Sequence, residues 1–216
     1  LIHVHYAIPH ATSAYLAKQI CKGHQDIKIV TTLHGTDITL VGLEPTYLHL
    51  LKFGILQSDG VTAVSRFLKE KTLTNYSIEK DIEVIPNFVD IELYKPDEST
   101  AFKCRFAPNG EKLLIHTSNF RPVKRVQDAI KIFDIVRKDV PSKLLLIGDG
   151  PDRSECERLS RELGIEKEVI FLGKQEGLAQ LLACADLFLL PSQSESFGLA
   201  ALEAMAVGLP VISTST

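Results

Sequence analysis

Short apolar runs rich in β-branched residues recur along the chain and alternate with longer segments of a different period. The longer segments, such as VQDAIKIFDIVRK and LAQLLACA, carry apolar residues at spacings of three and four, as helices with one buried face do. The short runs are continuously apolar, which is typical of parallel strands covered by helices on both faces. The predicted strands are 1–5, 27–32, 61–64, 82–85, 112–117, 143–148, 168–173, 186–191 and 210–213.

The repeated order of strand, helix and strand indicates an α/β fold with doubly wound parallel sheets. The alternation breaks once, at PNFVDIELYKPDEST, which holds two prolines and several acids without a clear period. We therefore expect two Rossmann-like domains, residues 1–86 and 99–216, joined by a linker at 87–98. Two such domains facing each other would form a cleft, lined by the loops at the carboxyl ends of the strands.

The composition excludes several classes of protein. Of the 216 residues, 45% are hydrophobic and 24% are charged, and the formal net charge of −3 gives no electrostatic reason to expect a nucleic-acid partner. No apolar run approaches the roughly 18 residues that a membrane span needs. The four cysteines are far apart, which favours free thiols in a reducing cytosol. His3 and His5 share a strand face but have no third ligand nearby, so we expect no metal site.

The loop after the strand at 27–32 reads HGTD, from His34 to Asp37. Asp37 is interpreted as a cap of the next helix. His34 is compatible both with an ordinary loop residue and with a functional group that donates or accepts a proton.

The loop SNFRPVKRVQD places three cations, Arg121, Lys124 and Arg125, where the chain enters a helix. Cations oppose the helix dipole at this end, unless an anion lies between them and the free backbone N–H groups. A solvated charged face is the alternative. The next strand ends in GDGP, but Arg153 occupies the place of the third glycine of a dinucleotide loop, and a tight turn explains the glycines equally well.

The segment ESFGLAALEAM carries Glu195 and Glu203, two carboxylates eight positions apart in an otherwise apolar or small stretch. An ionised carboxylate can accept both hydroxyl protons of a ribose diol. The free N–H groups near Phe197, Gly198 and Leu199 could hold a phosphate, and a glycine lets it come close. The segment therefore indicates a nucleotide gripped at its sugar and its diphosphate.

Together with these residues, the stretch PSQSESFGLAALEAMAVGLPVI resembles the signature of the family 4 retaining glycosyltransferases of the GT-B fold. VTAVS, VIPNFVD, GDGP and FLGKQEGLAQLLACADLFLLPS support the resemblance, which covers essentially the whole chain. LIHVHYAIPHA, VTTLHGTDIT, FGILQSDGVTAVS and SNFRPVKRVQD look like the branch of that family in bacillithiol biosynthesis. That branch transfers N-acetylglucosamine from UDP-N-acetylglucosamine to L-malate. The resemblance implies a cytoplasmic enzyme without metal or other cofactor, and it leaves a homo-oligomer open.

The resemblance also implies roles for individual residues. Glu203 would bind the ribose hydroxyls, and Glu195 would contact hydroxyls of the donor sugar. Lys124 matches the family's diphosphate-binding lysine, and Arg121 would replace an arginine whose usual place holds Asn119. His34 would contact the donor sugar and phosphate. The other donor-site candidates are Ser118, Asn119, Gly148, Gly173, Lys174, Phe197, Gly198 and Leu199, with the uracil at Gly173 and Lys174, and the acceptor-side candidates are Tyr6, Thr36 and Asn87.

Other functions stay open at this point. They are a family 4 enzyme with a sugar, lipid or inositol phosphate acceptor, an NAD-dependent oxidoreductase, and a non-catalytic protein that binds sugar nucleotides. A glycosidase pair made of the two glutamates is rejected, because a ribose-binding Glu203 cannot also attack the anomeric carbon. The family's first glycine-rich loop would precede residue 1 and its closing helices would follow Thr216. We therefore expect an internal piece of a longer protein, with little or no activity by itself.

Overall fold

The computed structural model describes residues 1–23, 26–39, 44–96 and 101–215, and of Ala101, Phe102 and Cys104 it describes the backbone alone. The chain divides into two compact units, Leu1–Asn87 and Phe88–Thr216, each with its own parallel sheet. All nine predicted strands are present, with ends that differ by at most two residues. The α/β fold expected from the apolar runs is thus confirmed.

The first unit contains a four-stranded sheet of order β1-β2-β3-β4, and every adjacent pair is parallel. A short π-helical segment, Ala7–Ala11, follows the first strand. The strands are β1 Ile2–His5, β2 Ile29–Leu33, β3 Gly60–Ala63 and β4 Glu83–Val84, and the helices are α1 Thr12–Ile20, α2 Thr36–Thr39, α3 Pro45–Gln57 and α4 Arg66–Tyr76. The carboxyl ends of β1 and β2 lie side by side, which places their loops together.

The second unit contains a five-stranded parallel sheet of order β7-β6-β5-β8-β9. The strands are β5 Lys112–Ser118, β6 Ser142–Gly148, β7 Val169–Gly173, β8 Leu187–Leu190 and β9 Val211–Ser213. The helices are α5 Ala101–Phe106, α6 Val126–Val136, α7 Arg153–Glu162, α8 Leu178–Ala183 and α9 Leu199–Ala206. Because β5 comes first in the chain but lies in the middle of the sheet, the strand order reverses between β5 and β8. This reversal is the switch point beside which ligands of such sheets bind.

The core of the second unit explains the continuous apolar runs. Along β5, Leu113 and Ile115 pack into one hydrophobic cluster, whereas Leu114 packs into a second cluster. Leu145 and Leu144 of β6 divide between the two clusters in the same way. Both faces of these strands are therefore buried, and alternate polar positions would leave polar groups in the core.

A carboxylate ties the beginning of β8 to the beginning of β5. Asp186 accepts hydrogen bonds from the Leu113 backbone N–H at 2.8 Å, from Lys103 at 2.7 Å and from Lys112 at 3.0 Å. Burial alone would raise the pKa of Asp186, but these donors bring the net change below its ordinary value. The ionised side chain thus fixes the central strand pair at the end opposite to the switch-point loops.

Cys21 and Cys156 are free thiols, as expected from the sequence. Burial raises the pKa of the Cys156 thiol to about 12, which keeps it protonated and unreactive. Within the described parts of the chain, no helix combines the length and the apolar character needed to cross a membrane.

Candidate functional site

The loops that follow β5 and β8 are joined directly to each other at the switch point. The backbone N–H of Gln193 donates to the carbonyl of Val123 at 2.8 Å. The ammonium of Lys124 lies 2.6 Å from a carboxylate oxygen of Glu195. The structure therefore brings together the predicted phosphate-binding cation and the predicted sugar-binding carboxylate, which are 71 residues apart in the chain.

The pair Lys124–Glu195 is accessible to a ligand. Each side chain is 23% exposed, so solvent reaches both charged ends. Ion pairs at this exposure contribute little to stability, typically 0–1 kcal/mol. An anionic ligand can therefore compete for the lysine at a small cost to the fold. Asn119 and Arg121 lie exposed on the same loop, before the 3₁₀ turn Pro122–Lys124.

The glycines of GDGP are required by the backbone that lies against them. An added Cβ at Gly148 would lie 1.8 Å from the Ser118 carbonyl oxygen, and one at Gly150 would lie 2.1 Å from the Asn119 carbonyl oxygen. The Asp152 backbone N–H also donates to the Phe120 carbonyl at 3.0 Å. The loop after β6 therefore supports the loop after β5 from behind, a packing role that the glycine spacing by itself did not specify.

A buried histidine, which the sequence analysis did not single out, supports the same loop. His116 is fully buried in β5; its Nδ1 lies 2.9 Å from the Leu189 carbonyl and its Nε2 lies 2.9 Å from the Ser118 hydroxyl. Burial lowers the pKa of His116 to about 4, against an opposing effect of the Leu189 carbonyl. The ring is consequently neutral near pH 7. The apolar residues that surround His116 in the sequence indicate a neutral ring, but they do not reveal its hydrogen-bond partners.

The free energy of unfolding is expected to fall between pH 6.5 and pH 4 through this histidine. The unfolded imidazole gains its proton near 6.5, whereas the folded one resists protonation until about 4, so the unfolded state binds more protons in this window. The difference between the two pKa values corresponds to at most about 3 kcal/mol. Denaturant unfolding at pH 7, 5.5 and 4.5 measures the change, and in a His116→Phe variant the pH dependence should be weaker. An equal pH dependence in wild type and His116→Phe would contradict the expectation. His49→Gln, at an exposed position, is the control and should keep the pH dependence of wild type.

The helix at ESFGLAALEAM, α9, begins at Leu199. Gly198 precedes it with a φ of +82°, a left-handed conformation that favours glycine. A cavity of about 260 Å³ is lined by residues that include Glu195, Phe197, Gly198 and the buried Ser192. Within the described residues, the Ser192 hydroxyl oxygen has no hydrogen-bond partner. The start of α9 therefore opens onto a cavity next to the Lys124–Glu195 pair.

Glu203 lies in the second turn of α9 and is partly buried. Burial raises the pKa of its carboxyl, while a hydrogen bond from the Tyr94 hydroxyl acts in the opposite direction. Tyr94 belongs to the segment predicted as a linker, and in the structure it packs against the core of the second unit. Sequence reasoning missed this tyrosine because its segment has no period that would place a side chain.

Two other donor-site candidates lie further along the sheet. Gly173 ends β7, two strands away from β5, and has a φ of +66°. Lys174 follows it and is exposed. The structure thus places both at the carboxyl end of a strand, as predicted, and their proposed contact with the uracil stays a prediction.

In the first unit, the loops after β1 and β2 bring His34 and Tyr6 together. The rings of these two residues are 5.1 Å apart, and His34 Nε2 lies 2.8 Å from His5 Nδ1. Burial lowers the pKa of His34, and the neighbouring His5 lowers it further, against an opposing effect of Asp37. His34 is thus disposed to be a neutral hydrogen-bonding group at pH 7. Of the other acceptor-side candidates, Thr36 is the first residue of α2 and Asn87 is the last residue of this unit.

The interpretation of Asp37 as a helix cap was wrong. Asp37 lies inside α2 and is buried, and its carboxylate accepts from the backbone N–H groups of Ala7 at 2.8 Å and Gly35 at 3.0 Å. It therefore fastens the loop that carries His34 to the segment after β1. The partner at Ala7 is 30 residues away, which local capping rules cannot anticipate. Across the described residues, no group of three His, Cys, Asp or Glu side chains is arranged to hold a metal ion.

Comparison with known proteins defines the class of this fold and site. Residues 97–216 match the family model described as Glycosyl transferases group 1, and residues 1–93 match the model described as Glycosyltransferase Family 4. The chain belongs to the group 1 glycosyltransferases.

Individual relatives add detail. The chain is 52% identical to N-acetyl-alpha-D-glucosaminyl L-malate synthase of Bacillus anthracis, over 99% of this chain and 56% of that protein. It is 34% identical to D-inositol 3-phosphate glycosyltransferase of Nocardia farcinica, over 73% of this chain and 38% of that protein. HepE of Anabaena, solved in complex with UDP and glucose, aligns at a TM-score of 0.80 and 25% identity, over 94% of this chain and 56% of that one. The chain thus spans about half the length of the relatives it matches.

Proposed function

We propose that the intact protein transfers N-acetylglucosamine from UDP-N-acetylglucosamine to L-malate with retention of configuration. The observation that carries the proposal is 52% identity, over nearly the whole chain, to a protein named for N-acetylglucosaminyl L-malate synthesis. The pairing of Lys124 with Glu195 at the switch point supports it, because a sugar diphosphate needs a cation and hydroxyl acceptors close together.

In this proposal, the second unit stabilises the leaving UDP. Negative charge grows on the diphosphate as the bond to the sugar breaks, and the sugar becomes oxocarbenium-like. Lys124 and Arg121 supply positive charge, and the free N–H groups at Gly198 and Leu199 supply hydrogen bonds at the start of α9. These groups stabilise the departing diphosphate without a metal ion or other cofactor. Glu195 moves from Lys124 to the hydroxyls of the sugar when the phosphates arrive.

The ribose is assigned to Glu203. Its carboxylate oxygens can accept from both ribose hydroxyls, and the Tyr94 hydroxyl holds the side chain in place. The first unit would supply the acceptor side through Tyr6, Thr36 and Asn87, with His34 contacting the donor sugar and phosphate. A cytoplasmic location is part of the same proposal and agrees with the free thiols of Cys21 and Cys156.

The acceptor is tested by UDP release from UDP-N-acetylglucosamine with the intact protein. L-Malate is expected to support turnover, whereas D-malate, succinate and inositol 3-phosphate serve as comparison acceptors. The 34% identity to an inositol phosphate enzyme makes inositol 3-phosphate the second candidate. Release with inositol 3-phosphate and none with L-malate would show a different family acceptor. UDP binding without turnover on any acceptor would favour a non-catalytic binding protein.

Replacing Glu203 by alanine is expected to weaken UDP binding about 10- to 150-fold. Hydrogen bonds to a charged group contribute about 1.5–3 kcal/mol, and alanine removes the acceptors of the ribose hydroxyls. Calorimetric titration of UDP into the intact protein measures the affinity. Glu166→Ala, at an exposed acid outside the site, is the matched control. Equal UDP affinity of Glu203→Ala and wild type would remove Glu203 from the ribose site.

A further inference from the structure

The sheet of the second unit is bridged by a side chain at its switch point. The ladder between β5 and β8 pairs Leu114 with Leu187 and Ile115 with Phe188. One residue further, the His116 ring reaches the Leu189 carbonyl, with Nδ1 2.9 Å from the oxygen. A carbonyl oxygen can only accept, so Nδ1 carries the proton. The histidine thus continues the connection between the two strands towards their carboxyl ends.

The other nitrogen of the ring extends this connection into the loop. Because the ring is buried and neutral, Nε2 is an acceptor, and the Ser118 hydroxyl donates to it at 2.9 Å. The same hydroxyl oxygen accepts from the Phe120 backbone N–H at 3.3 Å. A continuous chain of hydrogen bonds therefore runs from the Leu189 carbonyl to the loop backbone. A purely apolar ring at this position could fill the space but could not make these bonds.

The loop that this chain holds has an unusual backbone. Phe120 is fully buried and has a φ of +35°, a left-handed conformation that costs about 1 kcal/mol for a residue other than glycine. Three residues of loop separate Phe120 from Lys124, and Val123 accepts from the Gln193 N–H of the β8 loop. Fixing Phe120 therefore fixes the start of the segment that presents Lys124.

We propose that His116 is a positioning residue that holds the Lys124 loop and the Glu195 loop at a set separation through its bonds to Leu189 and Ser118. The inference rests on the proposed function of this site, since Lys124 and Glu195 are the groups whose separation matters. His116 itself is fully buried, so it would contact neither the UDP-sugar nor the acceptor. Its contribution to UDP affinity arises because a misplaced phosphate-binding group loses much of its effect.

Substitutions can separate the two hydrogen bonds of the ring. In His116→Asn, the side-chain amide can reproduce the Nδ1 donor and loses the acceptor for Ser118. In His116→Gln, the amide oxygen can reproduce the Nε2 acceptor and loses the donor to Leu189. His116→Phe keeps a ring and loses both bonds, and Ser118→Ala removes the loop end of the chain. His49→Gln, at an exposed position of α3, is the matched control.

The test uses calorimetric titration of UDP and steady-state kinetics of the intact protein, at temperatures well below each variant's unfolding midpoint. His116→Phe is expected to weaken UDP affinity about 10-fold or more and to raise KM for the UDP-sugar. The UDP affinities of His116→Asn and His116→Gln should lie between those of His116→Phe and wild type. Combining His116→Phe with Ser118→Ala should weaken binding no further than His116→Phe alone, because the two substitutions break one chain.

Hydrogen exchange gives a readout that does not depend on UDP. The Phe120 amide should exchange faster in His116→Phe and in Ser118→Ala than in wild type, and at wild-type rate in His49→Gln. Variants that melt at a lower temperature yet keep wild-type UDP affinity and Phe120 exchange would overturn the inference, leaving His116 a packing residue. If wild type fails to bind UDP, the proposed function is refuted. If the Phe120 amide nevertheless exchanges faster in His116→Phe and Ser118→Ala than in wild type, His116 still holds the loop.

Discussion

The kcat of the intact protein is expected to fall about 100- to 1,000-fold when Lys124 is replaced by methionine. Removing one preorganised group that stabilises charge in a transition state typically costs this much. Lys124 is the cation that the structure holds at the switch point, 2.6 Å from Glu195, where the diphosphate is proposed to bind. Methionine keeps a chain of similar length and removes the charge, so the loss reports the electrostatic contribution.

Thermal unfolding should change little in Lys124→Met, because a partly exposed ion pair contributes only about 0–1 kcal/mol. Lys131→Met is the matched control, since this exposed lysine of α6 lies 3.5 Å from Asp128 and away from the site. Its kcat should equal that of wild type. Unchanged kcat in Lys124→Met, with full UDP affinity, would show that the leaving phosphate is stabilised by other groups.

Replacing Gly148 by alanine is expected to destabilise the protein by about 2–5 kcal/mol. The residue has a φ of +117°, and the new Cβ would lie 1.8 Å from the Ser118 carbonyl oxygen. Strain of about 1–2 kcal/mol for the backbone adds to about 1–3 kcal/mol for forced displacement of packed neighbours. Ser118 is the last residue of β5 and leads directly into the loop that carries Lys124, so UDP affinity should fall together with stability.

A Gly110→Ala variant separates the two causes of this destabilisation, which are backbone strain and the displacement of packed neighbours. Gly110 also has a positive φ, of +82°, but nothing lies within 4 Å of its added Cβ. This variant should lose about 1–2 kcal/mol, the backbone strain alone, and keep wild-type UDP affinity. Chemical denaturation of both variants measures the difference. Equal losses at the two glycines would mean that the close approach of the two loops is absent in solution.

Strands β5 and β6 could be predicted because both of their faces are buried, so each leaves a largely apolar run in the sequence. The run KLLIHT shows the limit of this reasoning. Its histidine interrupts the apolar pattern, and in a strand buried on both faces such a residue needs polar partners. Those partners are a carbonyl of β8, 73 residues further on, and a hydroxyl two residues away. The first partner depends on strand order, which periodicity does not reveal.

The candidate site likewise contains some residues that could be predicted from the sequence and others that could not. Lys124 and Glu195 were predicted from motif and resemblance, and in the structure their loops lie side by side at the switch point. Tyr94 and Asp37 could not be predicted, since each acts through a contact between distant parts of the chain. Local rules even gave the wrong role for Asp37, because its short helix resembles a capped one in sequence.

The attachment of Asp186 to Leu113 has a consequence for biosynthesis. These residues are 73 positions apart, with β6 and β7 between them in the chain. At about 5–20 residues per second, a ribosome needs roughly 4–15 s to extend the chain from Leu113 to Asp186. During that time β5 can pair with β6, but its other edge stays open, and an unpaired apolar edge invites pairing with other chains. We therefore expect the nascent second unit to be most exposed to pairing with other chains just before β8 emerges.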